Sequence, residues 1–64
     1  VALHQKIAYY REKRGLTQRE LAEKAGVSQG AIGQYEIGLT MPRLSTLQRI
    51  AVALNTTVSE LCSP

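Results

Sequence analysis

Apolar residues recur along this chain in five short blocks at helical spacing, separated by glycine, proline and asparagine. In the first block Leu3, Ile7 and Tyr10 fall within about 60° of one another on a helical wheel, which predicts a helix over 2–14. Arg11 and Arg14 lie beside that arc, and His4 and Tyr9 flank it as boundary or surface positions. Gly15 supplies a residue suited to the left-handed conformation that ends a helix, with Leu16 free to close over the end.

The second and third blocks lie close together. Thr17 and Glu20 have the spacing of a reciprocal N-terminal cap, and Leu21, Ala22 and Ala25 give one apolar face to a helix over 18–25. Gly26 stands where a left-handed C-terminal residue is wanted, and Val27 can drop into the core behind it. Ser28 is a suitable N-cap for a helix over 29–36, and Gly38 a suitable stop.

Pro42 disfavours helix at Met41 and suits the entry to a fourth helix. There Leu44, Leu47, Ile50, Ala51 and Leu54 share an arc of about 120°, which predicts a core face on a helix over 44–54. Asn55 can take the left-handed position that ends it. Thr57 and Glu60 repeat the capping spacing before a short helix over 58–62, with Val58 and Leu61 inward and Cys62, Ser63 and Pro64 closing the chain. The expected fold is all-α: five helices in one domain over 1–64, with a tight helix–turn–helix at the second and third.

The third helix carries the functional signal. With Gln29 at zero, Gly33, Gly30 and Gln34 fall at about 40°, 100° and 140°, and Ala31, Tyr35, Ile32 and Glu36 at about 200° to 340°. One half is apolar apart from Glu36; the other holds two glutamines and two glycines and no charge. A face meant only for water usually carries Lys and Glu, which favour helix and solubility. This face is built to meet a partner.

Composition narrows the partner. The net charge of +3 over 64 residues suits a polyanion. A hydrophobic content of 44% is too high for disorder, yet no apolar run approaches the ~20 residues of a membrane span and no signal-peptide pattern is present. The lone Cys62 cannot form an internal disulfide, which points to a reducing compartment such as the bacterial cytoplasm. One His and one Cys far apart form no metal-ligand cluster, and no nucleophile stands beside a base, so neither cofactor nor catalysis is expected.

The stretch GLTQRELAEKAGVSQGAIGQYEIG is similar to the helix-turn-helix core of the lambda-repressor-like family of phage repressors, Cro proteins and Xre-type bacterial regulators. The matching features are Gly15-Leu16-Thr17-Gln18, Glu20-Leu21-Ala22, Gly26-Val27-Ser28, Ile32, Tyr35-Glu36 and Gly38. Further matches fall at Arg11, Pro42, Leu47, Ile50-Ala51, Leu54, Val58 and Leu61, so the likeness covers nearly the whole chain. It implies a five-helix DNA-binding domain whose third helix enters the major groove while the second crosses the backbone.

The resemblance also implies roles for single residues. Gln29 and Gln34 match base-reading positions, and a planar amide suits N6 and N7 of adenine. Gln18 matches a phosphate anchor at a helix N-terminus that also braces the first base-reading side chain. Arg43 and Thr40 would grip phosphate on the other flank; Arg43 stands where relatives often place a capping Ser or Thr. Ser28 divides one hydroxyl between capping and the DNA rim. Gly30 and Gly33 replace the usual polar side chains, so they are either places of close backbone approach or positions that read no base. Arg11 and Glu36 match a buried or half-buried ion pair, and the wheel independently turns Glu36 inward. The implied partner is a near-palindromic double-stranded operator bound by a homodimer, with residues 57–62 the implied self-contact. A protein-interaction or antitoxin-type adaptor module of the same fold is the alternative, since fold alone does not decide function.

Overall fold

Three of the five helices open on a hydroxyl that accepts a hydrogen bond from the backbone three residues on. Thr17 Oγ1 accepts from Glu20 N–H at 3.0 Å, Ser28 Oγ from Ala31 N–H at 3.1 Å and Thr57 Oγ1 from Glu60 N–H at 3.1 Å. Each satisfies one of the donors a helix leaves free at its start. Glu20 returns the contact by accepting from Thr17 N–H at 2.8 Å, which completes a reciprocal cap. Hydrogen bonding from the Thr17 backbone N–H, and then from the Thr17 side chain, holds the Glu20 carboxyl below its ordinary pKa.

The computed structural model describes residues 2–63; Val1 and Pro64, the two ends of the expected domain, lie outside them. Its elements are α1 (Leu3–Lys13), α2 (Gln18–Ala25), α3 (Gln29–Glu36), α4 (Leu44–Ala53) and α5 (Val58–Cys62). Among the described residues there is no strand, and no helix is long and apolar enough to cross a membrane. α1 is one residue shorter at each end than the apolar spacing predicts. Ala2 is extended, and Arg14 is the C-cap whose N–H still reaches the Tyr10 carbonyl. α4 likewise ends at Ala53, with Leu54 as its C-cap and Asn55 left-handed at φ 56°.

Every helix contributes to one core. Ile7 comes from α1; Leu21, Ala22 and Ala25 from α2; Ile32 from α3; Leu47, Ile50 and Ala51 from α4; and Leu61 from α5, with Leu54 filling the end. α2 packs on α3 and α4, α1 on α3 and α5, and α4 on α5. Fully burying a side chain such as Leu or Ile contributes about 1.5–3 kcal/mol. Ile32 therefore fixes which side of α3 turns inward, and so which side stays free.

Leu44 departs from its expected place in that core and is 63% exposed. It is the first residue of α4, and the core contacts of that helix begin only at Leu47. Helical spacing sets direction around a helix but not how far along it the covering elements reach, and the first turn of α4 is left uncovered.

Candidate nucleic-acid interface

The turn between α2 and α3 is set by Gly26, at φ 72°, a conformation that costs a residue with a Cβ. Its left-handed φ lets Val27 N–H reach back to the Ala22 carbonyl at 3.0 Å, and the half-buried Val27 packs against the core. α3 thus leaves the turn with its start exposed. Gln29, Gly30 and Gln34 all face solvent, Gly33 is half-buried, and Ile32 is fully enclosed. Beyond α3, Gly38 at φ 78° turns the chain against α1, where a Cβ would meet the His4 ring at 3.3 Å.

The far end of α3 is tied to α1 and α2 through one carboxylate. Arg11 Nε donates to Glu36 Oε2 at 2.6 Å and Arg11 Nη2 to Glu36 Oε1 at 3.1 Å, a two-pronged contact. The side chains are 14% and 6% exposed, so the pair is nearly withdrawn from water. Arg11 Nη1 also donates to the Leu16 carbonyl at 2.8 Å, fastening the chain just before α2. Hydrogen bonding to Glu36 raises the Arg11 pKa above its ordinary value, against the opposing effect of burial. Gln18 Nε2 completes the cluster by donating to Glu36 Oε1 at 2.9 Å.

Of the remaining site residues, Gly33 adjoins this cluster. Ser28 uses its oxygen as a cap, which leaves its hydroxyl hydrogen free to donate. Thr40 and Arg43 are exposed in the segment between α3 and α4. Arg43 is the N-cap of α4 by backbone conformation, but its side chain makes no capping bond, so the guanidinium is free for another partner. Gly30 has nothing within 4 Å of where a Cβ would stand; at Gly33 a Cβ would be 3.6 Å from Gln18 Oε1.

Three features escape sequence reasoning. The Gln18–Glu36 bond depends on how α2 crosses α3, which spacing does not encode. Arg14, which spacing places beside the apolar arc of α1, donates from Nε to the Leu54 carbonyl at 2.8 Å and from Nη2 to the Asn55 carbonyl at 3.3 Å. The segment after α3 also exposes Ile37, Leu39 and Met41 at 72%, 67% and 66%. Their crowding within five residues was legible, but only the fold shows that nothing covers them.

A short helix capped by Ser28, presented after a left-handed Gly26 and braced by Arg11 and Gln18, defines a helix-turn-helix domain. The chain belongs to the helix-turn-helix family, whose model matches residues 7–61. It is 41% identical over 54 residues to the transcriptional regulator SutR of Escherichia coli, covering 84% of this chain and 30% of SutR. It is 42% identical over 57 residues to the immunity repressor of Bacillus phage phi105, covering 89% of this chain and 40% of that repressor. The chain therefore spans less than half the length of these two relatives.

Among solved structures, it is similar to the P22 c2 repressor in complex with a synthetic operator. The TM-score is 0.93 at 28% identity, over 98% of this chain and 96% of that one. It is also similar to SinR in complex with DNA, with a TM-score of 0.88 at 33% identity, over 92% and 95% of the two chains. The fold is that of the repressor DNA-binding domains.

Proposed function

We propose that this chain is a sequence-specific double-stranded DNA-binding domain of a bacterial or phage transcriptional regulator, acting as a repressor and reading its operator through α3. The observation that carries this reading is the division of α3. Ile32 and Glu36 anchor it inward, while Gln29, Gly30 and Gln34 form an exposed arc without charge. The arc suits the major groove, which admits one helix and displays a distinct donor and acceptor pattern for each base pair. Gln29 and Gln34 are its base readers, with Ser28, Gly30 and Gly33 along the rim and strip of closest approach. Arg43 and Thr40 supply contacts to phosphate, and the net charge of +3 favours the approach. The role is binding rather than catalysis, in the cytoplasm, with all 64 residues acting as one domain.

A homodimer on a near-palindromic operator fits this class, with half-sites about one helical turn apart. The 57–62 segment, where Thr57, Ser59, Glu60 and Cys62 are exposed while Leu61 stays in the domain's own core, is the self-contact the resemblance implies. Exposed Ile37, Leu39, Met41 and Leu44 are further apolar surface. Selection from a pool of randomised duplexes tests the whole reading. A near-palindromic consensus is the expected result; a pool that stays random through successive rounds would leave the adaptor alternative in its place.

A further inference from the structure

Gln18 opens α2, and its amide is held in one orientation. Nε2 donates to Glu36 Oε1 at 2.9 Å, and Glu36 is itself fixed by the two prongs of Arg11. A carboxylate so engaged offers only acceptors, so the amide presents its nitrogen there and turns its carbonyl away. That carbonyl, Oε1, stands 3.6 Å from where a side chain on Gly33 would begin. Gly33 lies between Gln29 and Gln34 around α3, at about 40° on the wheel. Among the described residues no donor reaches Oε1, and no half-buried side chain leaves a polar atom both enclosed and unpaired. The oxygen is therefore not fully enclosed, and it stands beside Gly33 of α3.

We propose that Gln18 is a third base-reading residue, resting on the DNA-binding reading above: its Oε1 accepts a hydrogen bond from an exocyclic amino group in the major groove, N6 of adenine or N4 of cytosine. Those are the groove's amino donors. Phosphate cannot be the partner of this atom, since both would be acceptors. One of the two amide hydrogens is already engaged by Glu36, which leaves a single donor for any phosphate contact. Gly33 makes room, because a long side chain at that place would cover Oε1. Glu36 and Arg11 act as positioning residues that keep the carbonyl, rather than the nitrogen, toward the arc.

The test compares the wild-type chain with Gln18→Met, which keeps the length and removes the polar atoms. Both are put through randomised-site selection and then titrated with the selected duplex. A second duplex lacks the amino group of the adenine or cytosine at the position where the two consensus sequences differ. Wild type is expected to lose about tenfold in affinity on losing that amino group. Gln18→Met should bind the two duplexes alike, and its preference should relax at that one symmetric position. Binding to scrambled duplex and the salt slope should not change. The proposal is overturned if the two consensus sequences are the same, or if the losses from the side chain and the amino group simply add. It is also overturned if Gln18→Met weakens cognate and scrambled duplexes alike, which would mark a phosphate clamp, whose loss is independent of sequence. If wild type selects no sequence at all, the DNA-binding reading fails and takes this inference with it.

Discussion

Arg14, at the end of α1, hydrogen-bonds the carbonyl of Leu54, at the end of α4, 40 residues further along the chain. The last carbonyls of a helix lack partners within it, and a guanidinium both satisfies them and suits the negative end of the helix dipole. A residue that spacing places beside the apolar arc of α1 thus ties two helix ends together. Arg14→Met is expected to lower stability by about 1 kcal/mol, near the net value of a part-exposed charged hydrogen bond. For a domain this small that is a fall of roughly 4–8 °C in Tm. An unchanged melting curve would show that water replaces the guanidinium without loss.

Arg11 and Glu36 should be strongly coupled. Removing either charge alone leaves its partner nearly buried and unpaired, at a cost of about 3–5 kcal/mol. Arg11→Met with Glu36→Gln should cost less than the sum of the single changes, because no lone charge then remains. Urea unfolding of the four proteins gives the coupling energy; small additive losses would mean the pair is no more than a solvated contact.

Arg43→Ala should leave stability within about 0.5 kcal/mol, since the side chain makes no capping bond. On DNA it should weaken cognate and scrambled duplexes alike and reduce the salt slope by about one unit, the share of one neutralised phosphate. A full slope in the variant would remove Arg43 from the interface.

Gln29→Ala should act differently. Its side chain is exposed in the first turn of α3, so its loss should relax preference at one symmetric pair of operator positions, by about 1–3 kcal/mol. Gln34→Ala, about 140° round the helix, should act at another position and more weakly. Equal losses on cognate and scrambled duplexes would instead make Gln29 a backbone anchor.

Glu20 makes the start of α2 sensitive to acid. Its folded pKa is lowered by the Thr17 cap, so it contributes stability above the unfolded carboxylate value of about 4.3. That contribution is lost as pH falls through the lower folded value. Glu20→Gln can still accept from Thr17 N–H but does not titrate, so its stability should fall less steeply below about pH 4.5. Parallel acid limbs in the two proteins would place the sensitivity elsewhere.

Much of this fold is legible in the sequence because its determinants are local. A hydroxyl at Thr17, Ser28 or Thr57 caps the residues that follow it, and Gly26 or Asn55 ends a helix through its own backbone. The recurrence of Leu21, Ala22 and Ala25, or of Leu47, Ile50 and Ala51, chooses an inward face through the turn of the helix itself. The exposed arc of Gln29, Gly30 and Gln34 follows from the same periodicity. What periodicity lacks is the length and crossing of the neighbouring helix. Only the tertiary structure leaves Leu44 uncovered, brings Arg14 to the end of α4 and lays the Gln18 amide between Glu36 and Gly33. Those contacts join residues far apart in the chain, and their geometry exists only once the core has set the angles between helices.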